Sequence, residues 1–163
     1  MRQEGLPPVI NPTSKILIVG TMPGKKSLEQ KQYYADSRNQ FWSIIFSVLE
    51  KPMPFEYQQK VAQLLESKIA LWDVLASCTR AGSLDGDISN AVVNDFSIIF
   101  KQYPHIKVVA FNGKRAERLW NKLVKIAPNI EFITMPSTSR ALARPFEEKL
   151  MAWSELKRYL LSM

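Results

Sequence analysis

Histidine and cysteine are almost absent from this chain: His105 and Cys78 each occur once in 163 residues. A lone cysteine excludes an internal disulfide and fits a reducing cytosol, so the cytoplasm is the expected compartment. One histidine and one cysteine give a Cys/His zinc cluster or a Ser-His-Asp triad nothing to work with. Asp36, Asp73, Asp85 and Asp87 offer oxygens, but their spacing follows no metal motif. Neither a metal nor another cofactor is expected. Long hydrophobic runs are missing too. No stretch approaches the roughly 20 apolar residues of a bilayer span, and Met1-Arg2-Gln3-Glu4 opens onto prolines rather than a secretory apolar core. No membrane role is expected. Acidic residues are also scarce: 15 stand against 22 lysines and arginines, leaving a formal charge of +7.

What is present is ordinary in amount, with 46% hydrophobic and 23% charged residues, as in a globular chain that folds as one domain over 1–163. No repeat, low-complexity tract or linker divides it. The excess of positive charge points to a polyanionic partner. Lys25, Lys26, Arg38, Arg80, Arg140 and Arg144 all fall in or near candidate site loops.

Four short apolar runs read as buried strands: "KILIVG" (15–20), "IALWDV" (69–74), "KVVAF" (107–111) and "EFITM" (131–135). Helical spacing separates them. Phe41, Ile44, Ile45, Val48 and Leu49 mark one helix, and Val61, Leu64 and Leu65 a second over about 56–68. Val92, Phe96, Ile99, Phe100 and Tyr103 predict a third, ended by Pro104. Ala116, Leu119, Trp120, Leu123, Val124 and Ala127 form a fourth stripe, and a last helix is expected from about Pro145 to Leu161. Alternating strands and helices predict an α/β three-layer sandwich, a four-stranded parallel sheet flanked by helices. Ligands of such sheets gather beyond the carboxyl ends of the strands. That selects the loops "GTMPGKKS", "DVLASCTRAGSLD", "NGKRA" and "PSTSRALAR".

The first of these nearly spells a phosphate loop. A Walker A motif needs four residues between its glycines and a helix behind them; Gly20 and Gly24 enclose three, Pro23 lacks an N–H, and no helical pattern begins directly after Ser27. The dinucleotide fingerprint fails as well. A turn lining a pocket for another ligand remains, since main chain beside glycine approaches a substrate closely. Next comes "YYADSRNQFW" (33–42). Alone, Asn39 reads as a helix cap and Phe41 and Trp42 as core.

Together, "PPVINPTSKILIVGTMPGKKSL", "YYADSRNQFW", "LWDVLASCTRAGSLD", "FNGKRAERLW", "MPSTSRALA" and "RPFEEKLMAW" resemble the hypoxanthine-DNA (deoxyinosine) glycosylase branch of the uracil-DNA glycosylase superfamily. The resemblance implies a monofunctional N-glycosylase that flips a deaminated base out of duplex DNA and leaves an abasic site. A monomer acting on DNA that contains deoxyinosine is expected. Alternatives are a uracil or mismatch-uracil glycosylase, and a nucleic-acid-binding module without catalysis.

Breaking a base–sugar bond makes the sugar cation-like and sends electrons out with the base, as in glycoside hydrolysis. An amide side chain holds a water for such a sugar without acting as a base. The resemblance places that role on Asn39. It assigns base contact and water positioning to the turn Gly20, Thr21, Met22, Pro23 and Gly24, and stacking on the base to Phe41 or Trp42. Asp73 stands about where uracil-specific relatives use asparagine to read the base edge, and Ser77 and Asn112 border the pocket. Ser137, Thr138 and Ser139 are expected to donate to DNA phosphates, alongside Lys25, Lys26, Arg38, Arg80, Arg140 and Arg144. Two departures stand out. Met135 replaces a leaving-group histidine of other branches, and Arg140 replaces an expected proline, which unsettles Leu142 as the wedge.

Overall fold

The computed structural model describes residues 2–81, 88–126 and 129–161, so Asp85, Asp87 and Ala127 lie outside the described residues. Four strands form the parallel sheet: β2 (Ile16–Gly20), β3 (Ile69–Asp73), β6 (Val108–Asn112) and β7 (Glu131–Met135). Their order is β3-β2-β6-β7. All five side chains of both β2 and β3 are buried, which explains why they read as unbroken apolar runs.

Alternation along each strand divides these side chains between two cores. Ile16, Ile18, Ile69, Leu71, Val108 and Ala110 pack on one face against Phe41, Ile44, Ile45, Leu64, Trp153 and Leu156. Those partners come from α2 (Phe41–Leu49), α3 (Tyr57–Glu66), α6 (Phe146–Trp153) and α7 (Leu156–Leu161). On the other face Leu17, Val19, Ala70, Trp72, Val109 and Phe111 meet Phe96, Ile99, Ala116 and Trp120. These belong to α4 (Phe96–Gln102) and α5 (Lys114–Leu123). Three layers result, as expected.

Several local readings need correction. The segment after β3 is not a loop: β4 (Leu75–Arg80) pairs antiparallel with β1 (Arg2–Glu4) and β5 (Ile88–Val93) in a separate three-stranded sheet. Val92 lies on β5 and is 48% exposed, so it opens no helix. The helix starts at Phe96, behind Asp95, whose carboxylate caps the Ile98 N–H. A short helix, α1 (Lys25–Gln30), does follow Gly24 directly. The C-terminal stretch is two helices, interrupted where the Ser154 hydroxyl donates to the Leu150 carbonyl at 2.8 Å.

Candidate active site

The parallel register brings the strand ends level: Gly20 pairs with Asp73 and Asn112 with Met135. Over this edge comes the segment that carries Asn39. Its side chain is partly exposed, and its Oδ1 accepts from the Phe41 N–H at 2.9 Å and from the Thr138 hydroxyl at 2.8 Å. Because a main-chain N–H only donates, the Phe41 contact fixes which end of the amide is oxygen. The same logic fixes Asn112: the Thr138 N–H donates to its Oδ1 at 2.9 Å. Asn112 Nδ2 then donates to Thr138 Oγ1 at 3.0 Å and to Tyr34 Oη at 3.2 Å. The Thr138 hydroxyl proton therefore goes to Asn39. Every bond in this chain has one direction. Among the described residues Asn39 Nδ2 has no hydrogen-bond partner, and it is a donor. The capping expectation shifts by one residue: Gln40 is the N-cap of α2, and the Asn39 oxygen accepts from the N–H of Phe41, the first residue of the helix.

The aromatic expectation needs revision. Phe41 is fully buried, and the Trp42 Nε1–H donates to the Tyr33 carbonyl at 3.0 Å within the core. Neither presents a face to a ligand. Tyr34 is less enclosed: it is half-buried, its ring stacks on Phe41 with centroids 4.1 Å apart and planes 22° apart, and its hydroxyl accepts from Asn112 Nδ2. Phe41 backs the platform; Tyr34 is its surface. The signal was the doubled tyrosine, but the left-handed backbone at Tyr34 (φ 55°) that aims the ring is not readable from residue type.

In the turn 20–24 four of the five carbonyls have partners, Met22 being the exception among the described residues. Gly20 O accepts from Val74 N, Thr21 O from Leu75 N and Gly24 O from Leu28 N, at 2.8, 3.1 and 3.0 Å. Arg80 Nη2 donates to the Pro23 carbonyl. The N–H groups of Thr21, Met22 and Gly24 have no partner among the described residues. This turn offers donors, which suits a base leaving with extra electrons. Thr21 and Met22 bury their side chains, so only their main chain is open to contact. A Cβ at Gly20 would stand 2.6 Å from Asp73 Oδ1 and 3.4 Å from Tyr34 Oη. Glycine there lets the buried Asp73 carboxylate and the Tyr34 hydroxyl close on the strand end. Asp73 is also the first charge, after burial itself, that pushes the Tyr33 phenol far above its ordinary range.

A family model described as Uracil DNA glycosylase superfamily matches residues 7–159. The chain belongs to the uracil DNA glycosylase superfamily. It is 34% identical over 156 residues to a hypoxanthine DNA glycosylase of Methanosarcina barkeri, covering 95% of this chain and 98% of that one. A second hypoxanthine DNA glycosylase, from Methanosarcina acetivorans, is 30% identical over 160 residues, 98% of this chain and 100% of the other. A solution structure of a candidate uracil DNA glycosylase from Methanosarcina acetivorans superposes with a TM-score of 0.83 at 30% identity, covering 99% of each chain. The expected fold and family both hold.

Within this superfamily fold, several of the assigned residues do other work. Thr138 is fully buried, so it holds Asn39 and Asn112 rather than a phosphate. Ser77 is buried and its Oγ accepts from Arg2 Nη2 at 2.7 Å, which takes it out of a base pocket. Arg80 is only 3% exposed, bonded through Nε to Gln3 Oε1 at 3.0 Å, and cannot grip DNA. Arg38 is exposed but already forms a two-pronged pair with Asp36, at 3.1 and 2.9 Å. Ser137 and Ser139 are half-buried; their oxygens accept from the N–H groups of Ser139 and Ala141, which leaves both hydroxyl protons to donate. Lys25, Lys26, Arg140 and Arg144 are exposed beside the two loops. Met135 is buried, and Leu142 is half-buried in the second loop. His105 lies at the opposite end of the sheet, lining a hollow with Lys15, Lys107, Glu131 and Tyr159. Among the described residues no three His, Cys, Asp or Glu side chains cluster to hold a metal. No described helix is long and apolar enough to cross a membrane.

Proposed function

We propose that this protein is a monofunctional DNA N-glycosylase that removes hypoxanthine from deoxyinosine in duplex DNA. The observation that carries the reading is the Asn39 amide, oriented by Thr138 and Phe41 N–H with its nitrogen left as a donor. Both similar curated proteins are named for hypoxanthine DNA glycosylase. Flipping the nucleotide out costs a few kcal/mol, and less at a mispair. Exposed Lys25, Lys26, Arg140 and Arg144 offset this by neutralising phosphates, with Ser137 and Ser139 donating beside them. The flipped base stacks on Tyr34, with Phe41 behind. Asp73, an acceptor when ionised, faces the N1–H of hypoxanthine.

The C1′–N9 bond then lengthens and its electron pair moves into the base, where the N–H donors of the 20–24 turn meet the growing charge. Asn39 Nδ2 donates to the oxygen of a water and holds it at C1′. Its own oxygen is already occupied twice, so it takes no proton. The water oxygen bonds to the cation-like sugar, and its displaced proton leaves through solvent while the base is protonated. The products are an abasic site and free hypoxanthine. A neutral amide suffices because the sugar, not the water, is the activated partner.

Uracil also carries a donor N–H beside a carbonyl, so the decisive assay compares both lesions. Abasic-site formation is measured on inosine- and uracil-containing duplexes with wild type and Asn39→Ala. Wild type should release hypoxanthine faster than uracil, and the variant should lose both. A folded Asn39→Ala variant with undiminished rates would end this assignment.

A further inference from the structure

Two buried cations remain without a role. Lys149 is 1% exposed and Arg80 3% exposed. Each is bound to a main-chain carbonyl of one of the two loops that frame Asn39. Arg80 Nη2 donates to Pro23 O in the first, and Lys149 Nζ donates to Ser139 O at 3.2 Å in the second. The ion pairs among the described residues involve neither side chain. Among the described residues Arg80 Nη1 is buried with no hydrogen-bond partner. A buried charge without a counter-charge is costly, and simple loop anchoring needs no charge, since a neutral donor serves a carbonyl equally. Burial and the nearby Arg144 both draw the Lys149 pKa down, which adds to the cost of keeping it charged.

The reaction makes one electrostatic demand that the neutral N–H donors of the 20–24 turn meet only in part. The base leaves as an electron-rich group, and the site holds no histidine to neutralise it. That demand exists only in a glycosylase, so any role built on it rests on the function proposed above. We infer that Arg80 and Lys149 are positioning residues whose counter-charge, absent among the described residues, is the electron pair departing with the base. They do not touch it. A peptide group is planar and trans, so the Pro23 carbonyl bound to Arg80 sets the Gly24 N–H on the opposite side of the same plane. The bond to Arg80 polarises that donor. Lys149 does the same to the Ser139–Arg140 peptide. In a water-poor interior such charges act over several ångströms with little screening.

The test uses Arg80→Met and Lys149→Met, with Arg80→Lys and Lys149→Arg as charge-keeping controls. Single-turnover release is measured from duplexes carrying hypoxanthine or 2-fluorohypoxanthine. At a pH that keeps N1 protonated, the fluorine preserves the N1–H and O6 edge but makes the base a better leaving group. Each methionine variant should slow hypoxanthine release roughly 10- to 100-fold, less than the loss of a direct donor to the developing charge, while 2-fluorohypoxanthine slows by no more than about threefold. Affinity for inosine duplex should hold, the controls should recover most of the rate, and thermal stability should hold or rise as the unpaired charge is removed. Equal slowing of both bases would make the residues structural, and weaker binding with an unchanged chemical step would make them phosphate contacts; either overturns the inference. If a methionine variant does not fold, Arg80→Gln or Lys149→Gln carries the same comparison. Wild type that releases neither base would overturn the glycosylase reading itself.

Discussion

The hydroxyl of Thr138 donates to Asn39 Oδ1 at 2.8 Å across 99 residues of sequence. This one bond ties the loop after β7 to the segment before α2, and the Gln40 N–H returns the tie by donating to the Thr138 carbonyl at 3.0 Å. Together with the Phe41 N–H it holds the Asn39 oxygen inward, which under the proposed function leaves the amide nitrogen for substrate. Thr138→Val keeps the shape and removes the hydroxyl. Asn39 Oδ1 then keeps only the Phe41 N–H, and Asn112 Nδ2 loses one acceptor. The variant should be destabilised by about 1–3 kcal/mol, the usual cost of stranding buried polar groups. Excision should fall by more than stability explains, in kcat rather than KM, and Thr138→Ser should restore it. Denaturation and single-turnover assays on the same preparations check this.

Tyr34 gives a graded case. Tyr34→Phe keeps the ring on Phe41 and removes the hydroxyl that accepts from Asn112 Nδ2, so it should retain more activity than a variant without the ring. Tyr34→Ala removes the platform and exposes the Phe41 ring. Base–aromatic stacking is worth about 1–3 kcal/mol, so capture of the flipped base should weaken by roughly 5- to 150-fold. The measurement is the duplex concentration for half-maximal single-turnover rate. Identical losses in Phe and Ala variants would show that the hydroxyl, not the ring, matters.

These residues also mark where sequence reading ends. The parallel strands are plain because β2 and β3 bury every side chain, and burial on both faces leaves an apolar run. β4 hides because "LASCTR" mixes small and polar residues; its pairing with β1 is a main-chain property, reaching from Ser77 to Glu4 and from Thr79 to Arg2. Asn39 and its turn stand out through a specific motif. Thr138 and Arg80 do not, since a threonine between serines and an arginine in a polar stretch both look solvated. Only tertiary contacts reveal that one is a fully buried pivot and the other a buried charge.

Gly20 and Gly24 bound the same turn yet should respond oppositely to alanine. A Cβ at Gly20 meets Asp73 Oδ1 at 2.6 Å, while one at Gly24 meets nothing within 4 Å. Gly24 has φ −73°, open to any residue. Gly20→Ala must push the Asp73 carboxylate aside, an overpacking that costs about 1–3 kcal/mol. It should also erode the preference for hypoxanthine over uracil if Asp73 reads the base edge. Gly24→Ala should fold and turn over nearly as wild type. Thermal melts and the ratio of excision rates on the two lesions separate these outcomes.

The surface pair Asp36–Arg38 offers a test of how much charge an approaching DNA would meet. The side-chain bond from Arg38, followed by its N–H, holds the Asp36 carboxyl well below its ordinary value of 3.8. A depressed carboxylate stabilises the fold above that unfolded value and loses its contribution only as pH falls through the lower folded one. Between pH 5 and 9 the pair therefore stays ionised, and Arg38 stays matched. Asp36→Asn keeps an oxygen for the Arg38 N–H, which preserves the turn, but releases the guanidinium charge. Affinity for inosine duplex should rise, and the log–log salt slope should steepen by about 0.9 if Arg38 then neutralises one phosphate. Titrations at several salt concentrations read both quantities. An unchanged slope would mean that Arg38 lies off the path of the DNA, and that Lys25, Lys26, Arg140 and Arg144 carry the phosphate contacts without it.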